Sequence, residues 1–344
     1  MEQFVGLDIS QALTHLCVVD GKGKRVWQGK CPTNPEEIAE TVRAKAPSAT
    51  LIGMESGALS PWLWHALKGM NLPVVCVDAR HAHGALGMQI NKTDANDAHG
   101  IAQMMRTSFF KQVTVKSLDS HRIRTLLGAR AQLVGIRTDL KNQVRSALKT
   151  FGFMVSQSVE KGFEAKVRGT MSDQPLLQKM VAPLMEVLQT VQKQVAALDE
   201  LLGDYAENDK ICSHLMTIPG IGVVTAVAFT ATVDDPKRFK NSRSVGAYFG
   251  LTSRRYQSGE MDHSGRISKC GDRLVRSYLF EAAGSLLTRT KKWSALKSWG
   301  LRIAKRSGMS KARVAVARKL AVIMHQMWLT GEAIRWSEPE ASAA

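Results

Sequence analysis

The sequence lacks three features that would place it outside the general class of intracellular proteins. It has no run of about 18 uncharged apolar residues, so no membrane span is expected. Its first residues do not show the basic-then-apolar layout of a signal peptide. Its five cysteines are odd in number and scattered without a C-x-x-C spacing, which argues against a disulfide framework and a zinc site. These absences predict a protein of a reducing cytoplasm.

Acidic residues are scarce in one part of the chain, residues 231–320. This part contains 21 Lys and Arg against 6 Asp and Glu, a balance of +15 within a net charge of +17 for the whole sequence. A basic block of this size predicts a polyanionic partner, in first place nucleic acid. A membrane surface is the weaker alternative, because the basic residues are spread over several elements instead of one amphipathic helix.

The length of 344 residues and the hydrophobic fraction of 44% predict two or three domains with cores of their own. The patterns of the first residues, to about position 110, indicate the order β-β-β-α-β-α-β-α. The strands are expected at 3–9, 13–20, 25–30, 50–55 and 73–78, and the helices at 34–46, at 61–70 and from Asp94. Residues 1–112 are therefore predicted to form an α/β domain.

Four acidic residues occupy special places in this pattern. Asp8 lies inside an apolar strand, and Glu55 ends a strand that is expected beside it. Asp94 and Asp97 follow Thr93, which suits an N-cap, and they lie three residues apart on one helical face. Each acid also has an ordinary explanation. Asp94 and Asp97 could simply interact favourably with the positive end of the helix dipole. Asp8 could face solvent at a strand end, and Glu55 could cap a helix or lie on the surface.

Taken together, the four acids predict a metal site. Carboxylates that converge in a partly buried place repel one another, and one or two Mg²⁺ ions relieve that repulsion. Two such ions, about 3.5–4 Å apart, clamp the attacking and leaving oxygens of a phosphodiester. The order Asp…Glu…Asp-x-x-Asp resembles the RuvC-like branch of the RNase H fold, which implies that fold for residues 1–112.

Residues 113–210 change to a long helical periodicity. Apolar residues step by three and four between Ala129 and Phe151, and again between Leu184 and Tyr205. This spacing predicts two long amphipathic helices, which would form either an antiparallel hairpin or an intermolecular coiled coil. A long helical arm also suits a homo-oligomer, a dimer or a tetramer.

Residues 211–336 are expected to form a mainly helical domain, and residues 337–344 a flexible tail. Near the start of this domain, a Pro-Gly-Ile-Gly turn separates two apolar helical stretches and resembles the turn of a helix-hairpin-helix element. The N–H groups of Gly220 and Gly222 in such a turn would contact a DNA phosphate. A plain helix–helix turn is the competing interpretation.

A second cluster of motifs follows within the basic block. It contains Ser258-Gly259 and then, from Gly265, the run Gly-Arg-Ile-Ser-Lys-Cys-Gly-Asp with Arg276 after it. Together with the four acids, the Pro-Gly-Ile-Gly turn and an Ala-Val-Ala-Arg run ending at Arg318, this ordered set resembles the IS110 family of insertion-sequence transposases. Pilin-gene invertases of the Piv type belong to the same group. The resemblance covers nearly the whole chain, although no single motif is specific.

The resemblance implies a DNA transposase or site-specific recombinase with a composite active site. Asp8, Glu55, Asp94 and Asp97 would bind Mg²⁺, for which Mn²⁺ could substitute, and Ser258 would be the nucleophile. The implied reaction passes through a serine–phosphate link. The implied partners are double-stranded donor and target DNA and a structured guide RNA. The basic block is compatible with holding that RNA, because such a surface contacts backbone charge.

The sequence departs from the family pattern at three positions. Ser253 stands where Pro is frequent, Cys270 where a basic residue is common, and Asp272 where Asn is common. Other serines lie close to Ser258, namely Ser253, Ser264 and Ser268. Ser258 is preferred as the nucleophile because the glycine after it gives an accessible loop position. The other serines would then bond local backbone in turns.

The arginines and lysines around these motifs are candidates for phosphate contacts, because guanidinium and ammonium groups near Gly-containing loops suit phosphates. They are Arg254, Arg255, Arg266, Lys269, Arg273 and Arg276. Trp293 and Trp299, farther along, are predicted to lie in the core instead of stacking on bases. Two other functions stay open. One is a RuvC-like endonuclease of the Holliday-junction type that uses metal-activated water, and the other is a non-catalytic helix-hairpin-helix DNA-binding protein.

Overall fold

The computed structural model describes residues 2–87, 91–156 and 162–333. Its contacts divide the chain into two units, Met1–Leu118 and Asp119–Ala344, and each unit is described by itself. The predicted tail at 337–344 lies outside the described residues. The predicted separation of residues 113–210 from residues 211–336 stays a prediction.

The first unit is built on a six-stranded mixed sheet. Its strands are β1 (Gln3–Ile9), β2 (Leu13–Asp20), β3 (Arg25–Pro32), β4 (Ala49–Glu55), β5 (Val74–Val77) and β6 (Gln112–Val113), and its helices are α1 (Pro35–Lys45), α2 (Ser60–Gly69), α3 (Ala79–Leu86) and α4 (Asp94–Thr107). The strand order is β3-β2-β1-β4-β5-β6. β1, β4 and β5 run parallel, and β2, β3 and β6 each pair antiparallel with a neighbour. The predicted order of eight elements is confirmed, whereas α3 and β6 were not predicted.

The alternation of side chains along β1 assigns its residues to two helical layers. Val5 and Leu7 are fully buried in a cluster with α1 and α2. Gly6 faces the opposite layer, where a Cβ would lie 2.1 Å from the carbonyl oxygen of Ala98 in α4. Because strand side chains alternate between faces, Asp8 shares the face of Gly6 and lies toward α4. The sheet therefore presents one acid of β1 to the helix that carries two others.

The second unit is mainly helical, as predicted. Its helices are α5 (Leu118–Thr150, which begins at the last residue of the first unit), α6 (Phe163–Thr170), α7 (Pro175–Asn208), α8 (Lys210–Leu215), α9 (Val223–Val233), α10 (Arg243–Tyr248), α11 (Arg273–Thr288), α12 (Ala295–Ser307) and α13 (Met309–Thr330), and its strands are β7 (Ser253–Ser258) and β8 (Met261–Ile267). β7 and β8 form an antiparallel hairpin that was not predicted. No helix in the described ranges combines the length and the apolar character that a membrane crossing requires.

The two long helices pack against each other within one chain. Leu148, near the end of α5, and Leu177, near the start of α7, belong to the same buried cluster. Arg130 of α5 donates a hydrogen bond to Asp199, near the end of α7. Since the end of one helix meets the start of the other, α5 and α7 form the antiparallel hairpin that was one of the two alternatives.

The largest buried cluster among the described residues of the second unit is one to which α8, α9, α11 and α13 contribute most of the buried side chains. The basic stretch around α12 lies at the edge of this core. Trp293 and Trp299 are 49% and 37% exposed, so the prediction that they are core residues was wrong. The Nζ of Lys297 lies 5.7 Å from the ring centroid of Trp293. A cation over an exposed indole stabilises the ring without burying it, which explains the position of Trp293.

Candidate active site

The four acids come from three elements that meet at one end of the sheet. β1 and β4 are parallel neighbours with Leu7 opposite Met54, so Asp8 and Glu55 follow directly at the same level. Asp94 and Asp97 lie in the first turn of α4. Thr93 caps that helix, as predicted, and its side chain accepts a hydrogen bond from the N–H of Asn96 at 3.2 Å.

Electrostatic coupling shows that the acids interact. Burial, and then the negative charges of Asp94 and Asp97, raise the pKa of Asp8 from 3.8 to about 6. His15 opposes this rise and Glu55 adds to it. Burial, and then the charge of Asp97, also raise the pKa of Glu55. Neither shift would arise if the acids were dispersed over the surface, because solvent would screen separated charges. The structure thus brings the four predicted acids together.

Asp97 has the least exposed side chain of the four. It is buried, and its Oδ1 has no hydrogen-bond partner among the described residues. An ionised carboxylate in that condition is costly unless a proton or a cation compensates it. The imidazole of His15 lies on the outer side of the cluster, with Nε2 3.7 Å from Oδ2 of exposed Asp94.

The oxygen atoms of this cluster are the kind of ligand that Mg²⁺ prefers. In the described ranges, no three His, Cys, Asp or Glu side chains lie close enough to form a complete ligand set. The electrostatic coupling of all four acids agrees with this finding, because a charge–charge interaction reaches farther than a metal–oxygen bond of about 2.0–2.1 Å. Mg²⁺ keeps several waters and takes one or two carboxylates, so a Mg²⁺ site does not need three. The donor set and the buried oxygen without a partner fit the ion.

A cavity of about 330 Å³ opens beside the acids, and residues 8–11 and 55–60 line it. It lies at the carboxyl ends of β1 and β4, beyond which the chain turns away. Ser56 stabilises its wall, because its Oγ accepts a hydrogen bond from the N–H of Ala79 at 3.0 Å. The cavity gives a phosphate group access to Asp8 and Glu55 from solvent.

Ser258 lies at the tip of the exposed β7–β8 hairpin. It is the last residue of β7 and pairs with Met261, and Gly259, at φ +55°, makes the turn between them. Its side chain is exposed, and no hydrogen bond of its hydroxyl occurs within the described chain. The predicted loop position is thus a strand end next to a tight turn. Ser258 is accessible to solvent there, as expected.

Two aromatic rings share the face of Ser258. Tyr256 pairs with His263 across the hairpin, and their rings stack at 5.4 Å between centroids with planes 22° apart. Because the strand period is two, these residues and Met261 face the same side as Ser258. They line a shallow cavity of about 280 Å³. Tyr256 and His263 were not singled out from the sequence. The period-two pattern around Ser-Gly-Glu was the signal that could have found them.

The neighbouring serines differ in their surroundings. Ser253 begins β7 and Ser264 lies within β8, and both are exposed. Ser268 follows the hairpin, and its Oγ accepts a hydrogen bond from the N–H of Cys270 at 3.4 Å. Ser268 therefore has the local backbone role that was expected of serines in this region.

Half of the candidate phosphate contacts are engaged with other protein groups. Arg255 forms a two-pronged ion pair with Asp262, at 2.8 and 2.6 Å. Arg276 donates to the carbonyl oxygens of Phe249 and Cys270 at 3.0 and 3.2 Å, which ties the start of α11 to the preceding turns. Arg254 donates to the carbonyl oxygen of Ser268 at 3.2 Å.

Arg266, Lys269 and Arg273 are the other half, and all three are exposed. Their side chains show no hydrogen bond or ion pair in the parts of the chain that the structure describes. Lys269 has a φ of +54°, a conformation that places it on a sharp turn after β8. These three residues remain the candidates whose cationic groups are available to a phosphate.

The Pro-Gly-Ile-Gly turn connects α8 and α9. Gly220 has a φ of +91°, and a Cβ on it would lie 2.7 Å from the carbonyl oxygen of Ala282 in α11. Position 220 therefore requires a glycine, because the backbone there packs closely on α11. Gly222 is the N-cap of α9 and has open space around it. Only the second of the two predicted glycines thus presents an open backbone at the helix start.

The acids belong to the first unit and Ser258 to the second. Both units match known transposases. Residues 5–153 match a sequence family described as "Transposase", and residues 212–298 match the family described as "Transposase IS116/IS110/IS902 family". The first match contains all four acids, and the second contains Ser258.

Two relatives of known name are similar over most of the chain, and a third is similar over part of it. The transposase for insertion sequence element IS1111A of Coxiella burnetii is 28% identical over 346 residues, 97% of this chain and 91% of the relative. A probable family 20 transposase of Pseudomonas aeruginosa is 28% identical over 240 residues, 68% of this chain and 71% of that protein. The pilin gene-inverting protein of Moraxella bovis is 29% identical over 129 residues, 37% of this chain and 39% of that protein.

Proposed function

The chain belongs to the IS110 family of insertion-sequence transposases, and from that premise we propose that it cuts and rejoins DNA, with four acids of the first unit as metal ligands and a serine of the second unit as the nucleophile. The observation that carries the proposal is the coupling of Asp8 to Asp94, Asp97 and Glu55 at one end of the sheet. Such carboxylates repel one another and favour a bound cation. The transposases of the family act on DNA, which supplies the phosphodiester that the cation would contact.

The fold proposed for the first unit is that of RNase H, in its RuvC-like form. Three antiparallel strands are followed by two strands parallel to β1, in the order β3-β2-β1-β4-β5. An acid in β1, an acid at the end of β4 and two acids on a helix packed over the sheet support this assignment. β6 is an addition at the sheet edge.

Asp8, Glu55, Asp94 and Asp97 are the residues that would hold Mg²⁺, or Mn²⁺ in its place. When bound, the ion would neutralise charge that develops on the phosphate oxygens and polarise the attacking hydroxyl. The chain itself positions the acids. The Thr93 cap fixes the start of α4, and the contact of Gly6 with α4 sets the height of Asp97 over β1.

Ser258 is the proposed nucleophile. Its oxygen would form a bond to phosphorus while the bond between phosphorus and a deoxyribose oxygen breaks. The hydroxyl proton leaves Ser258, and the departing sugar oxygen gains one. Because one phosphoester bond replaces another, the bond energy is retained for rejoining the strands. The exposed position of Ser258 beside Gly259 supports this role.

The first test of the proposal is the change Ser258→Ala. The variant should bind a duplex that carries the junction of the element with its flanking DNA, but form no covalent protein–DNA adduct on a denaturing gel. Ser253→Ala and Ser264→Ala are matched controls that should retain the adduct, because they remove exposed hydroxyls from the same hairpin. Strand cleavage by Ser258→Ala would instead favour an endonuclease that uses water, and an adduct mapped to another side chain would contradict the serine assignment.

The second test addresses the acids. Asp97→Ala should leave the affinity for the same duplex nearly unchanged and abolish strand cleavage, because Asp97 contributes to the metal site and not to the basic surface. Cleavage by this variant at the wild-type rate would contradict the metal-site proposal. Absence of cleavage by the wild-type protein under all metal conditions would favour the non-catalytic DNA-binding alternative.

We also propose that a guide RNA directs the reaction. The +15 balance of residues 231–320 supports it, because a basic surface holds an RNA backbone independently of sequence. Full-length protein produced from the intact element should retain a transcript of the non-coding flank through purification at moderate salt. Changing the segment of that RNA that pairs with the target should redirect the insertion site. Unchanged target choice would contradict RNA guidance while leaving the DNA chemistry intact.

The last part of the proposal is a homo-oligomer formed through α7. Leu176, Met180 and Val187 are 72%, 62% and 49% exposed, and their spacing of four and seven places them on one face of the helix. A long helix of an intramolecular hairpin normally has a polar face toward solvent. An apolar stripe on that face supports contact with a second copy of the chain.

A further inference from the structure

A cavity of about 270 Å³ in the second unit lies outside the features described so far. It is bordered by the turn before α9, by the C-terminal half of α11 and by the first turns of α13. The side chains that line it with donor groups are Thr225, Ser285, Thr288, Arg289 and Arg313. We call it the Arg289–Arg313 cavity. The Thr288 hydroxyl donates to the carbonyl oxygen of Gly284 at 2.8 Å. The two guanidinium groups and the hydroxyls of Thr225 and Ser285 remain as donors for an anion.

The backbone on one side of this cavity is held close to α11. Gly220 lines the cavity, and its approach to Ala282 leaves no room for a Cβ. The N-cap of α9 follows two residues later at Gly222, which supplies no side chain to cap the helix. Thr225, in the first turn of α9, faces the cavity. The positive end of the α9 dipole therefore lies at the cavity wall and favours negative charge there.

Arg313 provides the strongest sign that a ligand is expected. Its guanidinium carbon lies 5.5 Å from the ring centroid of Phe280, and a Cβ on Gly284 would lie 3.2 Å from that same carbon. The Nε of Arg313 is buried and has no hydrogen-bond acceptor among the described residues. A buried charged donor without an acceptor costs free energy, which a bound anion would recover.

Glu281 is the one carboxylate among the lining residues of this cavity. It is exposed, and it forms no ion pair with Arg289 or Arg313 in the described ranges. The two arginines and the helix dipole therefore leave the cavity with a positive balance despite this acid. An arginine held by Glu281 would have been an ordinary structural ion pair. The separation leaves both cations available.

We propose that the Arg289–Arg313 cavity binds a phosphodiester group of a nucleic-acid backbone. Arg313 and Arg289 would donate to the phosphate oxygens, and the α9 terminus and the hydroxyls would complete the contacts. This differs from the predicted role of Gly220, whose contribution is to bring α9 against α11. The proposal takes from the proposed function only that nucleic acid is the partner. It is independent of the serine and of the metal site.

The test is equilibrium binding of the full-length protein to a 30-base-pair DNA duplex and to an RNA duplex of the same length, in EDTA, across a range of salt concentrations. Arg289→Gln and Arg313→Gln should each weaken binding about three- to tenfold and reduce the slope of log affinity against log salt by about one, the value for one lost phosphate contact. Glu281→Gln should strengthen binding. A loss with DNA alone, RNA alone or both identifies which backbone the cavity holds.

Two further variants separate a local site from overall charge and from misfolding. Lys193→Gln, at an exposed position of α7, removes one positive charge outside the cavity and outside the basic block of residues 231–320, and it should leave the slope nearly unchanged. Gly284→Ala keeps every charge, but its Cβ would lie 3.2 Å from the guanidinium carbon of Arg313 and force that group to shift, so it should weaken binding without lowering the thermal midpoint. An equal effect of Lys193→Gln, or no effect of the arginine variants, would overturn the proposal.

Because EDTA prevents cleavage, the outcome does not depend on whether Ser258 or the acids perform the chemistry. Failure of the serine proposal would leave these affinities unchanged. Failure of the cavity proposal would leave the adduct of Ser258 unchanged.

Discussion

Asp97 combines burial with an oxygen atom that has no hydrogen-bond partner in the described chain. Its three companions are less deeply placed, and the pKa of Asp8 responds to its charge. In the absence of a cation, the negative charge of Asp97 therefore opposes folding of the first unit. In the proposed metal site, the same charge would hold the ion.

These two effects of the Asp97 charge predict that its removal changes the thermal midpoint in opposite directions, relative to the wild type, without and with Mg²⁺. In EDTA, Asp97→Asn should have a higher thermal midpoint than the wild type, because it removes an uncompensated charge. Added Mg²⁺ should raise the midpoint of the wild type, since binding to the native state stabilises it, and should raise that of the variant much less. Glu40→Gln, at an exposed position of α1, is the control for loss of one acid and should retain the full Mg²⁺ effect. Equal Mg²⁺ shifts in Asp97→Asn and wild type would contradict the site.

Residue type and order were enough to select the acids, because acidic residues in apolar strands are rare and expensive. They were not enough to sort the cations. Arg255 and Arg276 were predicted to contact phosphates, yet one pairs with Asp262 and the other holds two carbonyl oxygens. Arg313 was not selected from the sequence at all. A guanidinium has the same composition whether it binds a protein carbonyl or a ligand, so only its neighbours distinguish the two.

At the scale of elements, the contact between β1 and α4 sets the geometry of the acids. A Cβ at Gly6 would lie 2.1 Å from the carbonyl oxygen of Ala98 and 2.4 Å from the N atom of Ala102, both backbone atoms that cannot rotate away. Gly6→Ala should lower the free energy of unfolding by about 1–3 kcal/mol or more, and it should also abolish the Mg²⁺-dependent rise in thermal midpoint. Gly21→Ala, with open space around it, should change neither quantity. A stable Gly6→Ala variant with normal Mg²⁺ response would contradict this geometry.

An ion pair joins three elements of the second unit. Arg124 of α5 donates to Asp272 at 2.7 Å and to the hydroxyl of Thr232 in α9 at 2.9 Å. Asp272 also caps α11 by accepting from the N–H of Val275 at 3.0 Å. Burial alone would raise the pKa of Asp272, but the hydrogen bond from Val275 and the charge of Arg124 outweigh it and lower the pKa below 3.8.

The lowered pKa determines how this ion pair responds to pH. The carboxylate of Asp272 takes up a proton less readily in the native state than in the unfolded chain. The stabilisation that it provides is therefore present above pH 3.8, and it is lost as the pH falls through the lowered pKa of the native state. Asp272→Asn keeps a capping side chain and should lower the free energy of unfolding by about 1–3 kcal/mol at neutral pH, and by less in acid. Denaturant unfolding at several pH values measures this difference. Asp139→Asn, an exposed acid of α5, is the control, and a pH-independent effect of Asp272→Asn would contradict the argument.

The elements that the sequence did not predict are short or locally supported. α3 has eight residues, and its start is fixed by the side chain of Asp78, which accepts from the N–H groups of Arg80 and His81. β6 has two residues and exists only through pairing with β5. The β7–β8 hairpin is exposed along most of its length, so it lacks the apolar alternation by which half-buried strands are usually found.

At the scale of the whole molecule, the charge and the apolar stripe of α7 predict different kinds of association. Met180→Glu should shift the protein toward a smaller particle in light scattering, because it places a charge in the centre of the proposed contact between copies. Ala182→Glu adds the same charge on the opposite side of the helix, at another exposed position, and should leave the particle mass unchanged. An identical mass for both variants and wild type would contradict association through this face.

The sequence by itself determined the alternation of strands and helices in the first unit, the helical character of the second, the four acids and the basic block. These properties follow from local periodicity and from residue chemistry, and both can be read from residues that are close together in the sequence. Only the tertiary structure decided that α5 and α7 pair within one chain, that Ser258 lies on an exposed hairpin, and which arginines are already engaged. Those outcomes depend on contacts between residues far apart in the chain. Several arrangements agree equally well with the local sequence pattern, and the free energy of packing and of paired charges selects one of them.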